Sequence, residues 1–287
     1  MGDWALMGAP VYTLAAYRGM AEAPAALRKA GVAKAVPFSS DAGDVEIPVL
    51  RKDMTEGTTK NLPHFKDATT RIYSFIQSRH LEQAVVLGGE CSETVGATAA
   101  FAQKLGAKAG MLWLDAHGDF NTPSTSPSGY IGGMCLALAC GMAPDLGLDL
   151  LGWYPLAQER LVHVGSRALD PPELAAFNSS AAKLYTAQQV KSSGVADVAE
   201  EAARHLDNRS DWIACHLDVD VVDLTLIPAV NYPTPGGLTA DEAAMVVRAA
   251  LRTGKLKVLE IAAYNPSKDR RGRSAERVVA LLRTIFS

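Results

Sequence analysis

Asp115, His117 and Asp119 occupy alternate positions in Trp113-Leu114-Asp115-Ala116-His117-Gly118-Asp119. Far along the chain, Asp218 and Asp220 flank one apolar residue in His216-Leu217-Asp218-Val219-Asp220. Carboxylates with an imidazole suit a hard or borderline divalent cation such as Mn²⁺. In extended chain, residues two and four apart share one face, so each cluster aims its donors the same way. Buried carboxylates crowded like this raise one another's pKa unless a cation neutralises them. Two such clusters brought together can hold two metals and activate water between them, which is hydrolase chemistry. Read blandly, the same acids are solvated loop residues or helix caps. The apolar strand before each cluster favours metal.

Those strands come from short apolar runs. Leu81–Leu87, Gly110–Leu114, Arg160–Gly165, Trp212–Val219 and Lys255–Ile261 read as strands. Thr94–Leu105, Pro172–Phe177, Gln188–Leu206, Thr239–Thr253 and Ser274–Phe286 read as helices. Strands alternating with helices predict a parallel sheet covered on both faces. The polar Asn121–Gly133 stretch reads as a loop directly after a cluster, where open α/β sheets carry function.

The rest of the chain narrows the class. With 287 residues and 48% hydrophobic content it suits an α/β protein, expected as a single domain over residues 1–287. A net charge of -3 gives no electrostatic case for nucleic acid or a membrane surface. No apolar run approaches the ~18 residues of a spanning helix. The N-terminal segment lacks the regions of a signal peptide. The four cysteines have no CxxC spacing, so a reducing cytoplasm is the expected setting.

Several longer segments resemble the arginase (ureohydrolase) family. They are Gly88-Gly89-Glu90-Cys91-Ser92, the run from Asp115 to Pro123, Asp218-Val219-Asp220-Val221-Val222-Asp223, Gly236-Gly237-Leu238-Thr239 and Asn265-Pro266. Ala25-Ala26-Leu27-Arg28 is similar to the family's N-terminal helix. The resemblance implies a three-layer α/β/α fold with an eight-stranded parallel sheet. It implies two Mn²⁺ ions, one held by Cys91, Asp115, Asp119 and Asp218, the other by Asp115, His117, Asp218 and Asp220. Asp115, Asp119 and Asp218 are the residues it places at the reaction, in which water attacks a guanidinium carbon and expels an amine. Asn121 and Ser128 match residues that hold a substrate α-carboxylate, and Asp170 one near the α-amino group. For each alone, a turn residue or helix cap is the plainer reading. As a set they favour a small guanidino amino acid as partner. Family members are commonly trimers or hexamers, so a homo-oligomer is expected.

Three departures shape the reading. The family has His where this chain has Cys91. A thiolate still binds metal but is soft, and the alternative is an inert buried cysteine. The family's proton-shuttling His falls at Gly132, and its guanidinium-holding Glu at Ala263. Losing a charged hydrogen bond costs ~1.5–3 kcal/mol, roughly ten- to hundredfold in affinity. A relaxed guanidinium pocket with a retained amino-acid clamp points to Nω-hydroxy-L-arginine, cleaved to hydroxyurea and L-ornithine. The alternatives are L-arginine, another guanidino acid, or a catalytically silent binding protein.

Other polar residues near the clusters have two readings. His216 is either an imidazole near the metals or a buried histidine satisfied by a backbone carbonyl. Glu260 ends a strand near Ala263 and could supply the displaced carboxylate. Glu93 reads as an acid in a first helical turn. His163, Trp113, Trp212, Cys135 and Cys140 read as packing residues.

Overall fold

The computed structural model describes residues 4–146 and 155–287. Its strands are β1 (Trp4–Ala9), β2 (Phe38–Asp44), the short pair β3 (Thr55–Glu56) and β4 (Thr59–Lys60), β5 (Ala84–Gly88), β6 (Ala109–Leu114), β7 (Leu161–Ser166), β8 (Lys183–Thr186), β9 (Trp212–Asp218) and β10 (Leu256–Ala262). The helices are α1 (Ala23–Lys29), α2 (Leu62–Ser78), α3 (Glu93–Leu105), α4 (Cys135–Ala139), α5 (Pro171–Ser179), α6 (Ala187–Ser193), α7 (Val195–Asp207), α8 (Ala240–Arg252) and α9 (Arg273–Phe286). Eight strands form one sheet in the order β2-β1-β5-β10-β9-β6-β7-β8, and every pairing is parallel. This is the predicted three-layer α/β/α fold.

Alternation along each strand builds two cores. Leu6, Val85, Leu87, Leu112, Leu114, Leu217 and Ile261 face α1, α6, α7, α8 and α9. Met7, Val86, Met111, Trp113, Ala214 and Val258 face α2, α3, α4 and α5. Both faces of the central strands are thus apolar, as a covered parallel sheet requires. Three helices start on reciprocal caps; in α8, Thr239 Oγ1 accepts from the Glu242 amide at 3.1 Å and Glu242 Oε2 from the Thr239 amide at 2.7 Å.

The predicted central strands and helices form within a few residues of their expected ends. In the eight-stranded sheet, β1, β2 and β8 carry no expected segment from periodicity; neither do the short β3 and β4, nor α2. The expected helix Gln188–Leu206 is two helices, because Gly194 adopts φ 89° between α6 and α7. Within the expected loop 121–133, Ile131–Met134 begins a 3-10 turn that leads into α4. The entry to α3 is tight: a β-carbon at Gly88 would lie 1.6 Å from Glu93 Oε1. Among the described residues, no helix is long and apolar enough to cross a membrane.

The central four strands, β5, β10, β9 and β6, end on the same edge. Cys91 follows β5, Asp115 follows β6, Asp218 closes β9 and Ala263 follows β10. Chain reversals there put loops from distant sequence around one crevice.

Candidate metal centre

The crevice is a cavity of about 380 Å³. Cys91, Asp115, His117, Asp119, Asp218 and Asp220 line it, so the two sequence clusters and the cysteine meet. Asn121, Ser128 and Asp170 lie on the same wall system, with Gly132 and Ala263. Every predicted site residue therefore borders one space.

Two compact donor groups form inside it. Cys91, Asp115, His216 and Asp218 place one donor atom each within 4.8 Å of one another, and so do Asp115, His117 and Asp220. Asp115 belongs to both groups. Asp119 stands outside these tight groups, beside Cys91 on the cavity wall.

Backbone and side-chain bonds fix the carboxylates. Asp115 Oδ1 accepts from the His117 amide at 2.7 Å, and Asp115 Oδ2 from Trp113 Nε1 at 3.2 Å. Asp218 Oδ1 accepts from the Asp220 amide at 2.7 Å, and Asp220 Oδ1 from the Ala116 amide at 3.1 Å. Cys91 Sγ donates to Asp218 Oδ2 at 3.4 Å. Asp119 is left-handed (φ 47°), a conformation aspartate tolerates. Its carbonyl accepts from the Leu136 and Ala137 amides at 3.0 and 3.1 Å, tying it to the start of α4.

Charge is crowded here. Burial, then repulsion from Asp220, raises the Asp115 pKa, and burial with Asp220 and Asp115 nearby pushes Asp218 far above the carboxylate range. Asp119 is pushed up by burial and by Asp115. Burial, followed by Asp119, Asp218 and Asp115, drives the Cys91 thiol upward. Burial opposes a charge on His117, yet its contacts with Asp115 and Asp220 carry its pKa up to about 12. His117 Nδ1 lies 3.4 Å from Asp115 Oδ1 and 3.1 Å from Asp220 Oδ2.

These donors fit divalent cations. Asp119 Oδ2 and His216 Nε2 are buried without any hydrogen-bond partner. Buried polar atoms are ordinarily satisfied, and buried like charges need a counter-charge. Cations at the two donor groups supply that counter-charge.

Two expectations for neighbouring residues change, and a third holds with an unexpected burial. His216 is fully buried, but a backbone carbonyl does not satisfy it. Its Nδ1 lies 2.9 Å from Glu260 Oε2 and 2.9 Å from Thr94 Oγ1. Glu260 does not reach the cavity as a substitute carboxylate: it is fully buried and bonded to Thr94 and His216. Glu93 does begin a helix, but it is buried with both oxygens unpartnered, and burial raises its pKa well above the usual range. Trp113 packs in the core as expected and also serves the site through Asp115. His163 is a core residue as expected, bonded to the His117 carbonyl at 2.8 Å.

Sequence reasoning missed several supports. Glu90 is buried beside the cavity, accepting from Ser92 Oγ at 2.9 Å and from the Tyr130 hydroxyl at 2.7 Å. The Tyr17 ring meets the rings of Tyr130 and Tyr232 edge to face, and Tyr130 and Tyr232 line the cavity. Arg167 donates to the carbonyls of Asp220 at 2.6 Å, Thr234 at 2.9 Å and Pro235 at 3.1 Å, clamping the exit from β9. Glu173 Oε1 accepts from the Phe120 amide at 3.0 Å and its Oε2 from the Asp170 amide at 2.8 Å. Apart from the Ser92–Glu90 contact and the Asp170–Glu173 cap, these pairings join segments too distant for any spacing rule. Glu90 lay inside a motif of the family resemblance, and Tyr130 inside the expected loop 121–133.

Comparison with known proteins agrees with the geometry. The profile described as "Arginase family" matches residues 2–287. The arginase of Bacillus caldovelox is 30% identical over 290 residues, covering 98% of this chain and 97% of that one. Its native structure at pH 5.6 superposes with a TM-score of 0.92, covering 100% of this chain and 99% of the other. An arginase structure from Bacillus cereus, 30% identical, gives 0.90 with coverage of 100% and 99%. Fold, carboxylate centre and similarity over the whole chain agree: the chain belongs to the arginase family, hydrolases that act on guanidino carbon–nitrogen bonds.

Proposed function

We propose that this enzyme hydrolyses Nω-hydroxy-L-arginine to hydroxyurea and L-ornithine. The observation that carries the reading is Ala263. It lines the cavity where the family resemblance places a guanidinium-holding glutamate, and the nearby Glu260 is turned into the protein. A hydroxyguanidine is less basic than a guanidine, so it needs a carboxylate anchor less. The amino-acid end has its expected partners: Asn121, Ser128 and Asp170 border the cavity, which suits an α-carboxylate and α-amino group.

In this reading Cys91, Asp115, Asp119 and Asp218 would hold one Mn²⁺, and Asp115, His117, Asp218 and Asp220 would hold the second. When bound, the pair supplies Lewis acidity that lowers the pKa of water to near neutrality. The chain's residues do the rest. Asn121 and Ser128 orient the substrate through its carboxylate. Asp119 Oδ2, free of protein partners, takes the proton released as water adds to the guanidinium carbon. The proton then moves to the departing δ-nitrogen as its bond to that carbon breaks. Water is consumed, and the products are hydroxyurea and the free amine of ornithine. An amine-type substrate without the carboxylate would leave Asn121 and Ser128 unused.

A second reading, plain L-arginine, is favoured by the relatives at 30% identity, which are arginases. Mn²⁺-loaded protein given each substrate at matched concentration separates the two. Hydroxyurea forming faster than urea supports the hydroxylated substrate. Faster urea assigns L-arginine instead, with Ala263 and Gly132 tolerated.

A further inference from the structure

His216 has the surroundings of a metal ligand. It sits two residues before Asp218 on β9, so both side chains leave the same face. Its donor atom lies within 4.8 Å of donors from Cys91, Asp115 and Asp218. One ring nitrogen is occupied: Nδ1 is 2.9 Å from Glu260 Oε2. The other is vacant: Nε2 is buried with no hydrogen-bond partner. Trp113 fixes the ring plane, stacking at 3.8 Å and 19°.

An imidazole that donates one N–H to a carboxylate and leaves its second nitrogen free is the usual preparation of a ligating histidine. The carboxylate fixes the tautomer and makes the free nitrogen a better donor. Cross-strand register supplies the pairing directly, because Glu260 and His216 are partners on β10 and β9. Thr94, from the start of α3, also donates to Glu260 and so holds the carboxylate in place.

We propose that His216 Nε2 is a ligand of the Cys91-side cation, with Glu260 as its positioning residue. This rests on the dimetal reading above. It adds an imidazole to the thiolate and the carboxylates of Asp115, Asp119 and Asp218 already assigned to that cation, while the His117 side keeps an imidazole with carboxylates. The two positions then differ in softness. The Cys91–His216 position takes Zn²⁺ or Co²⁺ ahead of Mn²⁺, and the His117 position is the harder of the two.

The test uses the full chain as wild type, His216→Ala and Glu260→Gln. Zn²⁺ content is measured after gel filtration and affinity by competition with a chromophoric chelator. In parallel, diamagnetic Zn²⁺-loaded, ¹⁵N-histidine-labelled wild type is examined by NMR. The expected result is two equivalents for wild type, with one of them weakened at least ~100-fold in His216→Ala. Glu260→Gln should weaken the same equivalent about 10- to 100-fold. The Nε2 resonance of His216 should move from the unprotonated, pyridine-type position to a metal-bound one on Zn²⁺ loading. Two equivalents at wild-type affinity in His216→Ala, or an unshifted His216 Nε2, overturn this inference and leave the dimetal reading standing. No bound metal in wild type overturns both. Should His216→Ala not fold, the wild-type NMR result decides by itself.

Discussion

The ring of Tyr130 occupies the space that any side chain on Gly132 would need: a β-carbon there would lie 2.2 Å from Tyr130 Cζ and 2.3 Å from its hydroxyl. Tyr130 is in turn anchored by donating to Glu90 at 2.7 Å. Gly132→His therefore does not restore a proton-shuttling imidazole. It displaces Tyr130 and leaves buried Glu90 short of a donor, a loss of ~1–3 kcal/mol. Thermal unfolding should show the variant less stable than wild type, with no gain in urea release from L-arginine. A variant that gains arginase activity at unchanged stability would contradict this arrangement.

Asp218 should behave oppositely with and without metal. Burial and its neighbours Asp220 and Asp115 disfavour its charge, so Asp218→Asn removes a destabilised anion. With chelator present, the Asn variant is expected to melt above wild type, because it carries no charge to bury beside Asp220 and Asp115. With saturating Mn²⁺ the order reverses, because wild type gains binding-linked stability that the variant cannot. Calorimetry under both conditions checks the crossing, and an Asn variant less stable in both would refute it.

Asn121 and Asp170 are coupled through one contact. Asn121 Nδ2 donates to Asp170 Oδ2 at 2.9 Å, and Thr125 Oγ1 donates to Asn121 Oδ1 at 2.9 Å. Each alanine variant should raise KM for the amino acid substrate roughly 10- to 100-fold. The double variant should lose less than the two effects summed, since Asp170→Ala already frees the Asn121 amide. Additive losses in steady-state kinetics would mean that the two residues act separately.

His163 sets an acid limit on stability. Burial, with His216 and His117 nearby, lowers its pKa from 6.5 to about 3, while its bond to the His117 carbonyl opposes the shift. Below 6.5 the unfolded chain takes up a proton that the folded chain refuses. Stability is therefore fully present above that pH and falls by ~1.4 kcal/mol per unit as the pH drops towards the folded value. His163→Gln keeps a donor without the titration. In chelator, its denaturant-derived stability should decline less steeply between pH 6 and 4, by about one proton of linkage. Equal slopes for the two proteins would remove His163 as the cause.

What the sequence disclosed, and what it concealed, follows from the range of each signal. Asp115, His117, Asp119, Asp218 and Asp220 could be found because polar donors at alternate positions after an apolar strand are a local pattern. The central strands were legible because both faces are buried and read as apolar runs. β2, with sequence Phe-Ser-Ser-Asp-Ala-Gly-Asp, and β8, four half-buried residues, are edge strands without that run. Their presence was implied only by family resemblance. His216 was noticed but given the wrong partner, since Glu260 reaches it through strand register 44 positions along the chain. Glu90 and Tyr130 meet across 40 positions, which no spacing rule covers.

The contact between Gly88 and Glu93 limits how this chain can vary. The Glu93 carboxyl occupies the volume of any β-carbon at position 88, and the same carboxyl is buried without a partner. Either residue changed alone meets an obstacle: a larger side chain at 88 collides, and a smaller one at 93 opens a void against bare backbone. Changed together, as Gly88→Ala with Glu93→Ser, the two alterations compensate in volume, and an uncomfortable buried acid disappears. The two positions are thus coupled, tolerating joint change more readily than either change alone.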